Sequence, residues 1–221
     1  MSSLCDRAGY PVVELPEHGW AVQLLPVTTV QFECFLAEPS GYGDEWYEQL
    51  LELRPRVSLD DATAHNRAGL FMTGLLPREA EAYAAWQGPE WRVPTVAEWR
   101  SVYRALARAP VDWKGLRAGL GRGVHPLAEA TLDVLRHLLQ PTTMLHLSLM
   151  TGGGLLEWVR DGVQWVGLGE IASHPLHLPL EGEPIRPLHP ERRRLKEFGL
   201  RLLRSLTPHY RICQCQDRLL D

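Results

Sequence analysis

The stretch from Pro77 to Leu106 limits the fold of this chain more than any other part. Pro77 suits the first turn of a helix, where a missing N–H costs nothing. Arg78–Trp86 is rich in Ala and Glu, Ala82, Tyr83 and Trp86 share a face, and Gly88-Pro89 ends the helix. A second helix opens at Thr95. Thr95 and Glu98 stand at capping-box spacing, and Trp99, Val102, Tyr103 and Leu106 form an apolar stripe behind them. Thr28 and Gln31 repeat the spacing ahead of Phe32, Phe35 and Leu36. Pro126–Gln140 predicts a further helix, with Leu127, Thr131, Val134, Leu135 and Leu138 in register and Pro141 as its stop.

Short extended runs surround these helices. Val12–Leu15 and Trp20–Leu25 are bounded by prolines and Gly19, and Leu70–Leu76, Met144–Met150, Leu155–Val159 and Gly199–Leu203 are strand-like. Residues 39–66 are mixed, with a loop at Ser40–Gly43 and a short helix about Glu45–Leu53. Residues 162–190, rich in Gly, Pro and His, predict long loops, and Gly152–Gly154 a sharp turn. The fold class expected is α+β, one domain over 1–206 with a tail at 207–221.

Charge and cysteine usage narrow the function classes. Lys+Arg 23 against Asp+Glu 27 leaves a net charge of −4, so no nucleic-acid-attracting field surrounds the whole molecule. All but two of the basic residues, Lys114 and Lys196, are arginine. The cysteines Cys5, Cys34, Cys213 and Cys215 are too scattered for a secreted disulfide framework. No apolar run approaches the roughly 18 residues of a membrane span, and Asp6 and Arg7 interrupt the N-terminus before a signal segment forms. The expected location is the cytoplasm, with no membrane contact.

Four segments, in order, resemble one known domain: Pro26–Phe32 with Phe35-Leu36, then Ala80–Trp86 with Arg92–Trp99, then Gly153–Val159, and last Gly199–Leu202. They look like the "PVTN" helix start, "DAEAYAAW…RLPTEAEWE", "GNVWEWV" and "GFRL" of the formylglycine-generating enzymes, or sulfatase-modifying factors. The second segment matches almost residue for residue. The resemblance frames residues 26–204 and implies a C-type-lectin-like fold of the formylglycine-generating-enzyme type, with short irregular strands, packed helices and long loops. Trp86, Trp99 and Trp158 are then expected as core aromatics, and Glu98 as a cap.

Enzymes of that family oxidise a substrate cysteine with a copper-binding cysteine pair placed shortly before the closing motif. The matching interval here, about 162–198, holds His174, His177 and His189 but no cysteine. Imidazoles do not reproduce a two-thiolate Cu(I) site. The "RGGSW" and "YPWG" segments are missing, and Gly154 replaces an asparagine that serves many members as a calcium ligand. A second branch of the superfamily, which uses non-haem iron, is not supported: His137 and His146 lack convincing ligand spacing. The expectation is therefore a non-catalytic binding or scaffold module with no cofactor, such as a diversified binding protein or an adaptor in a bacterial complex. Its binding surface is expected at Trp165, His174, His177, Arg192, Arg193 and Arg194, facing a protein partner. Lys196 and Arg201 extend the basic cluster, which is also the one place for a nucleic-acid backbone. The alternative is a divergent metal-dependent oxidase of the same family, its site rebuilt from Cys213, Cys215 or the histidines.

Overall fold

In the computed structural model, the described residues are 4–38, 46, 48–49, 71–114, 116, 132–133, 155–170 and 183–206. They form an α+β arrangement of two small sheets and three helices. In chain order these are β1 (Leu4–Cys5), β2 (Pro11–Leu15), β3 (Trp20–Gln23), α1 (Thr29–Ala37), α2 (Pro77–Gln87) and β4 (Trp91–Arg92). Then follow α3 (Val96–Arg108), β5 (Leu155–Asp161), β6 (Gln164–Glu170), β7 (Phe198–Gly199) and β8 (Leu203–Ser205). The larger sheet has the order β1-β2-β3-β8-β4 and is antiparallel throughout. The smaller has the order β6-β5-β7, with β5 and β7 parallel.

Period-two alternation sends the strands' side chains to two cores. Val13, Leu15, Val22, Leu203, Val159, Val166 and Leu168 join Trp99, Val102, Tyr103 and Leu106 of α3 on one side. Val12, Ala21, Leu202, Leu156 and Trp158 join Phe32 and Phe35 of α1 and Ala80, Tyr83 and Ala84 of α2 on the other. A sheet covered on both faces needs apolar residues at every position, which is why β2 and β3 read as near-continuous apolar runs.

Both expected capping boxes form. Thr28 Oγ1 accepts from Gln31 N while Gln31 Oε1 accepts from Thr28 N, and Thr95 and Glu98 repeat the pattern. Pro77 opens α2 and Gly88 caps its end. A buried carboxylate ties the N-terminal elements together. Asp6 Oδ1 accepts from Ala8 N and Tyr10 N, and its Oδ2 accepts from Gln23 Nε2 and Gln31 Nε2. Burial pushes the Asp6 carboxyl up, against the pull of these donors.

Three expectations change. Leu70–Leu76 is not a strand where it is described: Phe71 makes one isolated bridge to Thr28, and Trp158 Nε1 donates to Leu75 O. Residues 162–190 are not all loop, because β6 hydrogen-bonds along β5 across a two-residue turn at Gly162-Val163. A positive φ of 61° at Gly162, with none at Val163, is the pattern of a type II′ hairpin. The closing strand-like run is split between β7 and β8, with Leu200–Leu202 packed between them. Trp46, Glu48 and Gln49 are helical, within the expected short helix, and so are Leu132 and Asp133 in the expected helix at 126–140. The other residues of those helices, Met144–Met150, Gly152–Gly154 and the tail lie outside the described residues. Among the described residues no helix is long and apolar enough to cross a membrane.

Gly169 faces Leu155 closely. It holds φ 143°, and a Cβ there would collide with the Leu155 carbonyl oxygen. Replacing Gly169 by Ala is expected to cost about 1–3 kcal/mol, whereas Val163→Ala at the solvent-facing hairpin tip stays within about 0.5 kcal/mol; urea denaturation midpoints measure both.

Candidate functional site

The polar residues of the motif segments meet inside the protein. Glu157 on β5, Arg201 between β7 and β8, and Trp99 and Tyr103 on α3 form one buried network. Trp99 Nε1 donates to Glu157 Oε2 at 2.8 Å and Tyr103 Oη to Glu157 Oε1 at 2.6 Å. Arg201 donates through Nε and Nη2 to the same carboxylate at 3.0–3.2 Å, and through Nη1 to the carbonyls of Gln23 and Leu24 at 3.2 and 2.9 Å. Burial alone would lower the Arg201 pKa, but the facing Glu157 and the Tyr103 hydroxyl hold it above its ordinary value, so the guanidinium stays charged. Burial raises the Tyr103 hydroxyl well above its usual range, so it acts as a donor to the carboxylate. Every polar atom of Glu157 is engaged in holding elements together. Arg201 therefore leaves the surface basic cluster to which the sequence assigned it.

Arg194 also turns inward. Its Nη1 and Nη2 each donate to Glu79 at 2.7 Å, and Nη1 reaches Gly74 O at 3.0 Å. Glu79, itself fully buried, accepts from Trp46 Nε1 at 2.6 Å and from Leu76 N at the start of α2. Glu98 serves as the expected cap and more. Arg92 clamps it through two bonds of 2.7 Å, and although burial alone would raise its pKa, Arg92 and Thr95 hold it below the usual carboxylate range.

Of the residues expected on a binding surface, Trp165 is only 8% exposed, and the Arg160 guanidinium sits 3.7 Å from its ring centroid. Arg160 also pairs with Glu81 of α2. Arg192 and Arg193 are exposed, in a turn where both amides donate to His189 O at 3.0 and 3.1 Å. His174, His177, Cys213 and Cys215 lie outside the described residues. Cys5 and Cys34 are free thiols, and burial first, then Asp6, pushes both pKa values up. Thiols held protonated are poor metal ligands and poor nucleophiles. Among the described residues no group of three His, Cys, Asp or Glu is placed to hold a metal ion.

The structure adds residues to the exposed face. Val163 at the β5–β6 tip is 92% exposed and Leu188 is 81% exposed. The strap Glu183–Pro190 runs beside β6, where Gly167 and Ile185 exchange both backbone bonds at 2.8 and 2.9 Å. Arg186 pins the strap across the hairpin, to Asp161 at 2.9 Å and Gln164 at 3.2 Å. The signal for this face was Gly162-Val163 between two apolar runs, a glycine at the first central position as a type II′ hairpin requires. Val163, Asp161, Arg186 and Leu188 thus join Arg192 and Arg193 on the candidate surface. No protein-family model matches the chain, and no curated protein matches it.

Arg201→Met strands a buried carboxylate and is expected to cost about 3–5 kcal/mol; adding Glu157→Gln recovers part of it, so a double-mutant cycle by chemical denaturation reads a large coupling. For Glu98 the folded-state pKa is depressed, so its contribution is present above the unfolded carboxylate range and lost as pH falls through the lower folded value. The gap in thermal midpoint between the native chain and Glu98→Gln should therefore narrow steadily on acidification, as a melting series across that interval will measure.

Proposed function

We propose that this chain is a non-catalytic, formylglycine-generating-enzyme-like domain with a C-type-lectin-like fold, acting as a protein-binding or scaffold module. The observation that carries the reading is the enclosure of Glu157, Arg201 and Trp99 in one internal network. The polar residues that give the chain its resemblance hold the framework, and they are not offered to a substrate. A second observation supports the placement of the binding face. The hairpin tip, the strap and the turn after His189 carry exposed Val163, Leu188, Arg192 and Arg193, and the β5 and β6 strands that the tip joins bury Val159, Val166 and Leu168 in the core. A rigid base with varied outer segments suits recognition, because binding residues concentrate on loops held by a fixed scaffold. Mixed apolar and arginine character fits a protein partner with acidic groups around an apolar centre. The domain is read as 1–206, in the cytoplasm and without a cofactor.

The combined variant Arg192→Glu, Arg193→Glu and Val163→Ser is expected to lose the cell-extract partners that cross-link to the native chain, with its thermal midpoint unchanged within about 2 °C. Retention of every partner by that variant overturns the placement of the surface. Metal analysis and a cysteine-peptide assay test the reading itself. Stoichiometric copper, removed by Cys213→Ser with Cys215→Ser and accompanied by conversion of the peptide cysteine to an aldehyde, would establish the divergent oxidase instead.

A further inference from the structure

The outer edge of β6 is half covered by the chain's own strap, and the way it is covered describes what else the edge takes. In an antiparallel pair, residues alternate between those bonded to the partner strand and those whose N–H and C=O point away. Asp161 and Gln164 close the hairpin, so Trp165, Gly167 and Gly169 direct their backbone groups outward from the β5–β6 pair. The opposite edge obeys the same rule: Leu156 and Arg160 of β5 donate outward, to Glu197 O and Pro94 O. On the β6 side, among the described residues, only Gly167 is served, by Ile185.

The strap stops there for a chemical reason. Antiparallel register places Pro187 opposite Trp165, and a proline has no N–H to give the Trp165 carbonyl. On the other side of Ile185 the residue opposite Gly169 is Glu183, and no backbone bond joins the two. The remaining anchor is Arg186, paired with Asp161 and Gln164 in a solvent-exposed bridge of the kind that holds weakly. Ile185 is 38% exposed although it sits in the ladder, and Leu188 beyond it is in solvent.

We propose that the outer edge of β6 is a strand-addition site for an extended segment of a protein partner, one with an apolar residue followed by an arginine, and that the strap holds this site in the free chain. The assignment rests on the binding reading above and names the partner's chemistry. An incoming segment without proline makes the bonds at Trp165 and Gly169 that the strap leaves unmade. Its arginine takes the place of Arg186 between Asp161 and Gln164. Main-chain bonds then supply affinity and the Asp161 carboxylate supplies selection.

The probe is a fluorescein-labelled octapeptide with the strap sequence in which all three prolines are replaced by valine, titrated into the full chain by anisotropy. Ile185→Ser with Arg186→Ala, both on a partly exposed segment, removes the competitor and is expected to tighten binding about tenfold, the worth of a few exchanged hydrogen bonds. Asp161→Asn is expected to weaken it several-fold, and a peptide with glutamate in place of the arginine is expected not to bind. Hydrogen exchange at the Trp165 amide should slow in the complex. Equal affinity for all these proteins and peptides, or no slowing at Trp165, overturns the proposal. Absence of peptide binding alongside partners that still depend on Arg192 and Arg193 overturns the edge site and leaves the binding module standing. Peptide binding with no such partners supports the edge site and removes the arginine turn from the surface.

Discussion

The Glu157–Arg201 pair is the interaction on which the arrangement of elements depends. Two opposite charges withdrawn from water cost several kcal/mol each unless every lone pair and proton finds a partner. Here the carboxylate receives Trp99, Tyr103 and Arg201, and the guanidinium spends its remaining donors on Gln23 and Leu24 carbonyls. Satisfying the pair therefore fixes α3, β5, the end of β3 and the segment before β8 at once. An apolar replacement would fill the space, but it would not specify which residue faces which. The tight geometry sets the register between the two sheets, and the surface hairpin inherits its position from that register.

Local chemistry was legible in the sequence wherever it was short-range. The boxes Thr28/Gln31 and Thr95/Glu98, the stripe from Trp99 to Leu106 and the proline at the start of α2 each act within a few residues, so spacing alone exposes them. The core roles of Trp99 and Trp158 followed from the same helices and strands. What stayed hidden depends on distant partners. Asp6 reads as a charge that breaks an apolar terminus, yet it accepts four hydrogen bonds in the core. Arg194 and Arg201 read as parts of a basic run, yet their acids, Glu79 and Glu157, lie 115 and 44 residues away. Composition gives no means of telling a buried arginine from a solvated one. The β5–β6 hairpin was hidden differently, because its glycines at 167 and 169 look like loop while they make room for Phe198 and Leu155.

The arginine bias also has a packing consequence. Arg7 lies over Trp86, Arg160 over Trp165, Arg194 over Trp46 and Arg204 over Trp91, with ring centroids 3.7–5.6 Å from the guanidinium carbon. A planar guanidinium stacks on an indole and still donates at its rim, as Arg160 does to Glu81 and Arg7 to Glu38. A lysine ammonium is a compact charge that offers no such plane. These stacks shield tryptophans at the edge of the core, and the exposed large apolar side chains among the described residues are Val163, Leu188 and, less so, Ile185.

The place of β8 has a consequence for synthesis on the ribosome. It is inserted between β3 and β4, so two strands made earlier wait for a third that follows every other described strand in the chain. Until that piece emerges, a nascent chain exposes two open ladders and an unpaired Glu157. The β3–β8 and β4–β8 pairings are long-range contacts of the kind that slows folding, and open ladders left waiting for β8 are the kind of edge that invites aggregation.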